Sequence, residues 1–203
     1  MVNTHNVARI VGILGLLVST SSHSANGRRL TTVSDVSLHT QEIPQSAGKN
    51  DSKTLFDHGL KLETGRGVAR NVAEAVSLYR KAAALGNTDA ILRLGIIYQG
   101  GMLVPRDVRE AGAWFRKAAE LGNSAGMFYL GVLYWSGRGV DRDLVEAYKW
   151  LDLAAMYAPR EGQSNFAVTR DSLARVLSPQ LIAEAKIRGQ EWQMVFNARK
   201  NSR

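Results

Sequence analysis

The chain has 203 residues, enough for one domain with a hydrophobic core and terminal tails. It contains no cysteine, which excludes a disulfide framework, a thiolate metal site and a cysteine nucleophile. The net charge is +8 at pH 7, and half of it lies in residues 159–203, whereas residues 55–158 are almost balanced. A nucleic-acid binder concentrates positive charge on its folded body, so we expect no nucleic acid as a ligand. The charge fits weak contact with an acidic partner or an anionic envelope polymer.

Residues 1–24 have the pattern of a secretory signal peptide. Arg9 precedes an apolar run over residues 10–18, and small polar residues follow that run up to Ser24. The run is too short to span a bilayer, which needs about 20 residues. We therefore expect cleavage near Ser24–Ala25 and a periplasmic or secreted protein; an uncleaved membrane anchor is the alternative.

Residues 25–52 are rich in Ser, Thr, Asn and Gly and lack helical periodicity, so they are predicted to form a flexible leader. The Ser-x-x-Lys spacing of Ser46 and Lys49 falls in this leader, without the supporting motifs of a serine acyl-transfer enzyme. The histidines that remain after cleavage are His39, in the leader, and His58, at an expected core position. These features predict no catalytic residue, no metal site and no cofactor.

From residue 53 the chain repeats every 36 residues without an insertion. Six sets of identical residues define the repeat: Gly59, Gly95 and Gly131; Gly65, Gly101 and Gly137; Val68, Val104 and Val140; Glu74, Glu110 and Glu146; Ala75, Ala111 and Ala147; and the alanine pairs 82–83, 118–119 and 154–155. Coincident ladders of this kind indicate a repeat architecture, in which each unit buries its apolar face on the next.

Each unit is predicted to form two antiparallel helices, which span residues 88–100 and 108–121 in the second unit. The first helix of each unit is expected to stop at a glycine in the left-handed conformation. These glycines are Gly65, Gly101 and Gly137.

The second helix of each unit is predicted to begin after Asn71, Asp107 or Asp143, which are favourable N-cap residues. A glutamate follows each of them three positions later, which is a variant of the capping box. Gly95 and Gly131 are expected to let the two helices of a unit approach closely.

The stretches 90–98, 137–140 and 147–151 resemble Sel1-like repeats, which are close relatives of tetratricopeptide repeats. The resemblance covers residues 53–158. It divides them into the units 53–88, 89–124 and 125–158. It implies an all-α fold, a right-handed α-solenoid of about three helix hairpins, and a protein-binding rather than an enzymatic role.

Residues 159–200 resemble a degenerate fourth repeat followed by a closing helix. Ala167 replaces the repeated glycine, and Arg170 replaces the repeated tyrosine. Ser178 and Pro179 suit the start of a final helix, which is expected to cover the end of the stack. Its apolar face consists of Ile182, Ala185, Gly189, Trp192 and Phe196.

The likeness to tetratricopeptide repeats implies a concave binding surface on the first helix of each unit. Several positions there are apolar where the family commonly has polar residues, which predicts a groove for a peptide or helix. Trp135 and Tyr129 are the expected anchors, and Arg93 is expected to orient the ligand. The alternative is that neighbouring helices bury this stripe. The candidate residues are Leu60, Arg93, Ile96, Gln99, Tyr129, Val132 and Trp135.

The sequence therefore predicts an exported scaffold or adaptor that binds a protein or peptide and regulates or assembles an envelope or secretion complex. Two alternatives stay open: a secreted effector that binds a host protein, and a cell-wall-associated binder or hydrolase. The sequence specifies neither the partner nor the oligomeric state.

Overall fold

The computed structural model describes residues 49–101 and 103–202, which form eight α-helices and no strand. The helices are α1 (Lys49–Thr64), α2 (Val72–Ala84), α3 (Thr88–Gly100), α4 (Val108–Glu120), α5 (Ser124–Ser136), α6 (Leu144–Tyr157), α7 (Arg160–Ala174) and α8 (Pro179–Asn201). The predicted signal peptide and the leader up to residue 48 lie outside these residues. α1 begins at Lys49 and so extends into the segment predicted as leader. In the described part of the chain, no helix combines the length and apolar character needed to cross a membrane.

The first six helices form three hairpins that stack in chain order. Within each hairpin α1 packs on α2, α3 on α4 and α5 on α6, and the successive contacts α2–α3, α4–α5 and α6–α7 join one unit to the next. α3 spans Thr88–Gly100 as predicted, and α4 ends at Glu120, one residue before the predicted end. The predicted all-α solenoid is confirmed.

Glycines lie where the two helices of a hairpin come closest. A Cβ added to Gly95 would lie 2.5 Å from Cε1 of Phe115, and one added to Gly131 would lie 2.8 Å from Cγ of Leu151. Both partner side chains are fully buried and lie on the second helix of the same hairpin. The recurring glycine is therefore explained by close helix packing, as the repeat predicted.

The turn between the two helices of a unit is closed by a glycine and an arginine. Gly101 ends α3 in the left-handed conformation with φ of 70°. Arg106 then reaches back, and its Nε donates to the carbonyl of Gln99 at 3.2 Å. In the third unit, Arg142 donates in the same way to the carbonyl of Trp135 at 3.2 Å. This arginine satisfies a carbonyl that the helix end leaves without an intrahelical partner.

The predicted N-caps form, whereas the glutamate of the predicted capping box contacts its cap residue only in the first unit, where Nδ2 of Asn71 donates to Oε2 of Glu74 at 3.0 Å. Oδ1 of Asp107 accepts from the backbone N–H groups of Arg109 and Glu110, both at 3.0 Å. The N–H of Asp107 donates to the carbonyl of Tyr98 at 3.0 Å, at the end of the preceding helix. That donor is therefore already satisfied, and Glu110 accepts from Nε1 of Trp114 at 2.9 Å instead. The third unit repeats these contacts.

A polar pair joins the second helix of each unit to the first helix of the next. The pairs are Arg80–Tyr98, Arg116–Tyr134 and Asp152–Arg170. At the second junction, Nη2 of Arg116 donates to the hydroxyl of Tyr134 at 2.9 Å. At the third, Nη1 of Arg170 donates to Oδ1 of Asp152 at 3.1 Å. In the first two junctions the positive charge lies on the second helix of the earlier unit. In the third junction the contact is kept, but the positive charge lies on α7, because Arg170 replaces the repeated tyrosine.

α8 packs through the face predicted from the sequence: Ala185 and Ile182 join the core cluster of α6 and α7, and the rest of the helix continues along α6. Ala185 and Gly189 are buried in the contact with α6. Trp192 lies against the aromatic rings of α6, and Phe196 reaches Gly122, where an added Cβ would lie 2.7 Å from Cζ of the ring. The helix therefore lies along α6 and extends to the end of α4, because its largest side chains find their partners on those second helices.

Candidate binding surface

The seven candidate residues lie on α1, α3 and α5, the first helices of the three units, and all are half-buried. The 36-residue repeat places Leu60, Ile96 and Val132 at one equivalent position. Gln99 and Trp135 share a second position, which is occupied by Glu63 in the first unit; Arg93 and Tyr129 share a third. The set therefore forms rows across three successive helices. We call it the first-helix face.

The apolar members of the first-helix face also hold the units together. Leu60 packs against the core cluster centred on the first unit. Ile96 and Tyr129 pack against a second cluster, formed by the second and third units. Val132 and Trp135 pack against a third cluster, which lies beside α7. Each side chain nevertheless keeps part of its surface accessible. The face is therefore partly covered by neighbouring helices, and what it offers a ligand is a half-buried apolar floor.

Tyr129 is held rigidly in this floor by other aromatic rings. It stacks on Phe115, with ring centroids 4.8 Å apart and planes inclined by 16°, and meets the edge of Phe128 at 5.7 Å. Phe128 in turn stacks on Phe166 of α7 at 4.7 Å. An aromatic side chain fixed in this way loses little conformational entropy when a ligand binds it, which suits an anchor.

Arg93 is engaged within the protein. Its Nε donates to Oε2 of Glu63 at 2.9 Å, and its Nη2 donates to Oε1 of the same carboxylate. The hydroxyl of Tyr79 also donates to Oε2 of Glu63, at 2.7 Å. The guanidinium that the sequence predicted as a ligand-orienting group is thus paired with an acidic residue on α1, and its side chain stays 34% exposed.

The protonation of this cluster follows from its contacts. Burial by itself would raise the pKa of Glu63, but the hydrogen bonds from Arg93 and Tyr79 and the charge of the guanidinium together hold that pKa below its ordinary value. Burial raises the pKa of the Tyr79 phenol, and its bond to the carboxylate raises it further. The carboxylate is therefore ionised and the phenol protonated at neutral pH, so the ion pair leaves this end of the face with little net charge.

The side chains of the first-helix face are of types that suit binding. Among the described residues, no three His, Asp or Glu side chains are placed to hold a metal ion, and no charged side chain is fully buried. The accessible groups are apolar surfaces and the amide of Gln99, which can donate to and accept from a peptide backbone. Such a surface can hold the apolar side of a helix or an extended segment.

Family models and solved structures both relate this chain to Sel1 repeat proteins. The Sel1 repeat model matches residues 54–87, 88–123 and 124–156. The structure is similar to that of a Sel1 repeat protein from Oxalobacter formigenes, with 29% identity, a TM-score of 0.53, and coverage of 58% of this chain and 88% of that one.

A second similar structure is that of c5321, a protective antigen present in uropathogenic Escherichia coli strains that displays an SLR fold. Identity is 29% and the TM-score is 0.55, over 68% of this chain and 31% of that one. Among curated proteins, the DAP3-binding cell death enhancer 1 of Rattus norvegicus is 43% identical over 53 residues, and that of Mus musculus is 42% identical over 53 residues. These alignments span 26% of this chain and 10% of each relative.

Proposed function

This chain belongs to the Sel1 repeat family, and we propose that it is an exported scaffold that holds a segment of a partner protein on its first-helix face. Sel1 repeats are generally protein–protein interaction modules, and proteins built from them are typically non-enzymatic scaffolds. The observation that carries the proposal is the row of half-buried apolar residues that recurs at equivalent positions on α1, α3 and α5.

The chemistry of that row defines the ligand. Ile96 and Val132 offer shallow aliphatic contacts, and Tyr129 and Trp135 offer large, rigid ones, so the ligand presents apolar side chains at regular spacing. Gln99 lies on α3 at the position equivalent to Trp135 and can bond a backbone amide. The Arg93–Glu63 pair is internally neutralised, so charge on the ligand contributes little there.

The signal-peptide pattern of residues 1–24 supports placing the mature protein in the periplasm or outside the cell. We extend the proposal to a role in regulating or assembling an envelope or secretion complex. Fractionation of cells that express the protein with a C-terminal epitope tag tests this placement. We expect a mature form in the periplasm or medium whose N-terminal sequence begins near Ala25; a full-length form retained in the cytosol contradicts export.

Site-specific photocrosslinking tests the first-helix face. A benzoylphenylalanine at position 99 is expected to crosslink a partner in the native envelope fraction. The same group at position 77 is the matched control, because Ser77 is exposed on α2, a second helix outside the face. We expect a defined adduct from position 99 and none from position 77.

Replacement of the predicted anchor completes the test. Trp135→Ala removes the largest apolar side chain of the face and is expected to weaken capture of the position-99 partner by at least about tenfold. Circular dichroism and the melting temperature establish that the variant is folded. A folded Trp135→Ala variant that captures the same partner at unchanged yield removes the first-helix face as the binding site.

A further inference from the structure

A cleft of about 500 Å³ lies where the C-terminal ends of α4 and α8 meet. Its lining residues are Lys117, Glu120, Leu121, Phe196, Arg199 and Lys200. None of them belongs to the first helices α1, α3 or α5, so the cleft is separate from the first-helix face. We call it the α4–α8 cleft.

The floor of the α4–α8 cleft is apolar and fixed. Leu121 is 40% exposed. The ring of Phe196 stacks on Trp192 with centroids 4.8 Å apart and meets the edge of Tyr157 at 6.0 Å. Its tip closes on Gly122, which has no side chain to displace it. An apolar side chain of a ligand would therefore meet a preformed surface without reordering the protein.

The rim of the cleft carries a net positive charge. Lys117, Arg199 and Lys200 stand around one carboxylate, Glu120. None of these four groups takes part in an ion pair with another described residue. Lys117 lies over the ring of Trp114 at 5.4 Å, a contact that keeps its charge. Arg199 and Lys200, which belong to the positively charged C-terminal segment, thus lie beside an apolar floor.

The equivalent surfaces at the ends of α2 and α4 differ in whether an aromatic ring of this chain covers them. Phe196 occupies the surface at Gly122, so one aromatic side chain of this chain already binds there. The equivalent residue in the first unit is Gly86, where an added Cβ would have no atom within 4 Å, and its neighbour Leu85 is 58% exposed. Lys81 stands there at the position of Lys117. The same combination of apolar surface and lysine is therefore present one unit earlier in the chain, where no aromatic ring covers the glycine.

We infer that the α4–α8 cleft binds an acidic segment of a partner protein that carries an aromatic or large aliphatic side chain. The apolar side chain rests on Leu121 and Phe196, and carboxylates of the segment meet the rim cations. Charge complementarity selects this occupant, because three unpaired cations against one carboxylate favour an anion and the apolar floor favours a side chain over a bare ion. The cleft is too short for the extended basic stripe that a nucleic acid requires.

The probe is a fluorescein-labelled peptide of aspartate and glutamate with one central phenylalanine, titrated into the purified protein at low salt and followed by fluorescence anisotropy. The test variant is Lys117→Glu with Arg199→Glu. The matched control is Arg66→Glu with Lys186→Glu, which changes the net charge equally at exposed positions outside the cleft. We expect the cleft variant to bind at least about tenfold more weakly and the control variant to bind within about twofold of the parent.

Three outcomes would overturn the inference. A probe with serine in place of phenylalanine should bind more weakly, and equal binding overturns the inference because the floor then contributes nothing. Equal weakening by the control variant also overturns it, because attraction would follow net charge alone. Cleft-dependent binding to phosphatidylglycerol vesicles in place of the peptide would assign the cleft to a membrane surface and overturn the acidic segment.

The two binding sites are distinguished by exchanging their variants. Trp135→Ala alters the first-helix face and should leave the affinity for the acidic probe unchanged. Loss of probe binding in Trp135→Ala would place the probe on the first-helix face and overturn the inference. Capture at position 99 should in turn survive Lys117→Glu with Arg199→Glu.

Discussion

The contact between Gly95 and Phe115 makes the hairpin packing directly testable. Gly95→Ala would place a methyl carbon 2.5 Å from Cε1 and 2.6 Å from Cδ1 of a fully buried ring. That ring cannot swing away freely, because it stacks on Tyr129 with centroids 4.8 Å apart. The methyl group must therefore push α3 and α4 apart.

The expected magnitude follows from two opposing effects. Overpacking of a close-packed core costs about 1–3 kcal/mol, and a rigid partner ring places this site toward the upper end. The better helix propensity of alanine offsets about 1 kcal/mol. We therefore expect a net loss of about 1–2 kcal/mol in the free energy of unfolding. For a chain of this size, that corresponds to a melting temperature lower by about 2–8 °C.

Thermal and urea unfolding of purified variants measure this effect. Gly100→Ala is the matched control, since Gly100 lies on the same helix, is exposed, and would have no atom within 4 Å of an added Cβ. The control should be as stable as the parent or more stable. Phe115→Leu should cost less in the Gly95→Ala background than alone, because the smaller side chain makes room for the methyl group. A Gly95→Ala variant that melts at or above the parent temperature would refute the close-packing explanation.

Three further sets of variants probe the caps, the ion pair and the last junction. Asp107→Ala should lower the free energy of unfolding by about 1 kcal/mol in urea titration, whereas Asp107→Asn should lose only a few tenths; equal losses would exclude the cap hydrogen bonds as the cause. The pKa of Glu63 is lower in the folded protein than in the unfolded chain, so its stabilisation is present above the unfolded pKa and is lost as pH falls through the folded pKa. Glu63→Gln should therefore be less stable than the parent near pH 7, and the difference in melting temperature should shrink as pH falls below the ordinary carboxyl value of 4.5; a difference that does not change with pH contradicts this linkage. At the last junction, Asp152→Arg and Arg170→Tyr should each destabilise the protein, while the double variant should recover about 0.5–1 kcal/mol relative to the sum, and simple additivity would show that the pair does not interact.

The repeat made the hairpins predictable from the sequence. The glycine ladders, the left-handed turn at Gly101 and the N-cap at Asp107 all depend on residues close in sequence or related by the 36-residue period. Both kinds of information are present in a single chain. Helix bounds therefore followed within a residue for α3 and α4.

The parts that sequence reasoning did not predict depend on contacts between distant residues. The capping box failed because the N–H of Asp107 is satisfied by Tyr98 of the preceding helix, which composition does not reveal. The ion pair of Arg93 with Glu63, 30 residues earlier, was likewise not predicted. The period contained a signal for the closing arginine at Arg106, which recurs at 36-residue spacing. The sequence contained no comparable signal for the position of α8, because its contact with the end of α4 joins residues that are far apart in the chain.

The reversed polarity of the last junction restricts how this array can be assembled and extended. If α7 docked on the first or second unit, Arg170 would face Arg80 or Arg116, and two cations would meet. Of the three junctions, only the one at Asp152 offers Arg170 a carboxylate, so α7 is matched to the third unit and to neither of the first two. An extra unit inserted before the third unit could use the arginine–tyrosine pair at both of its junctions. A unit placed directly after α6 would need a cation at the position of Arg170 to pair with Asp152. The array can therefore lengthen from within while its final helix remains matched to one place.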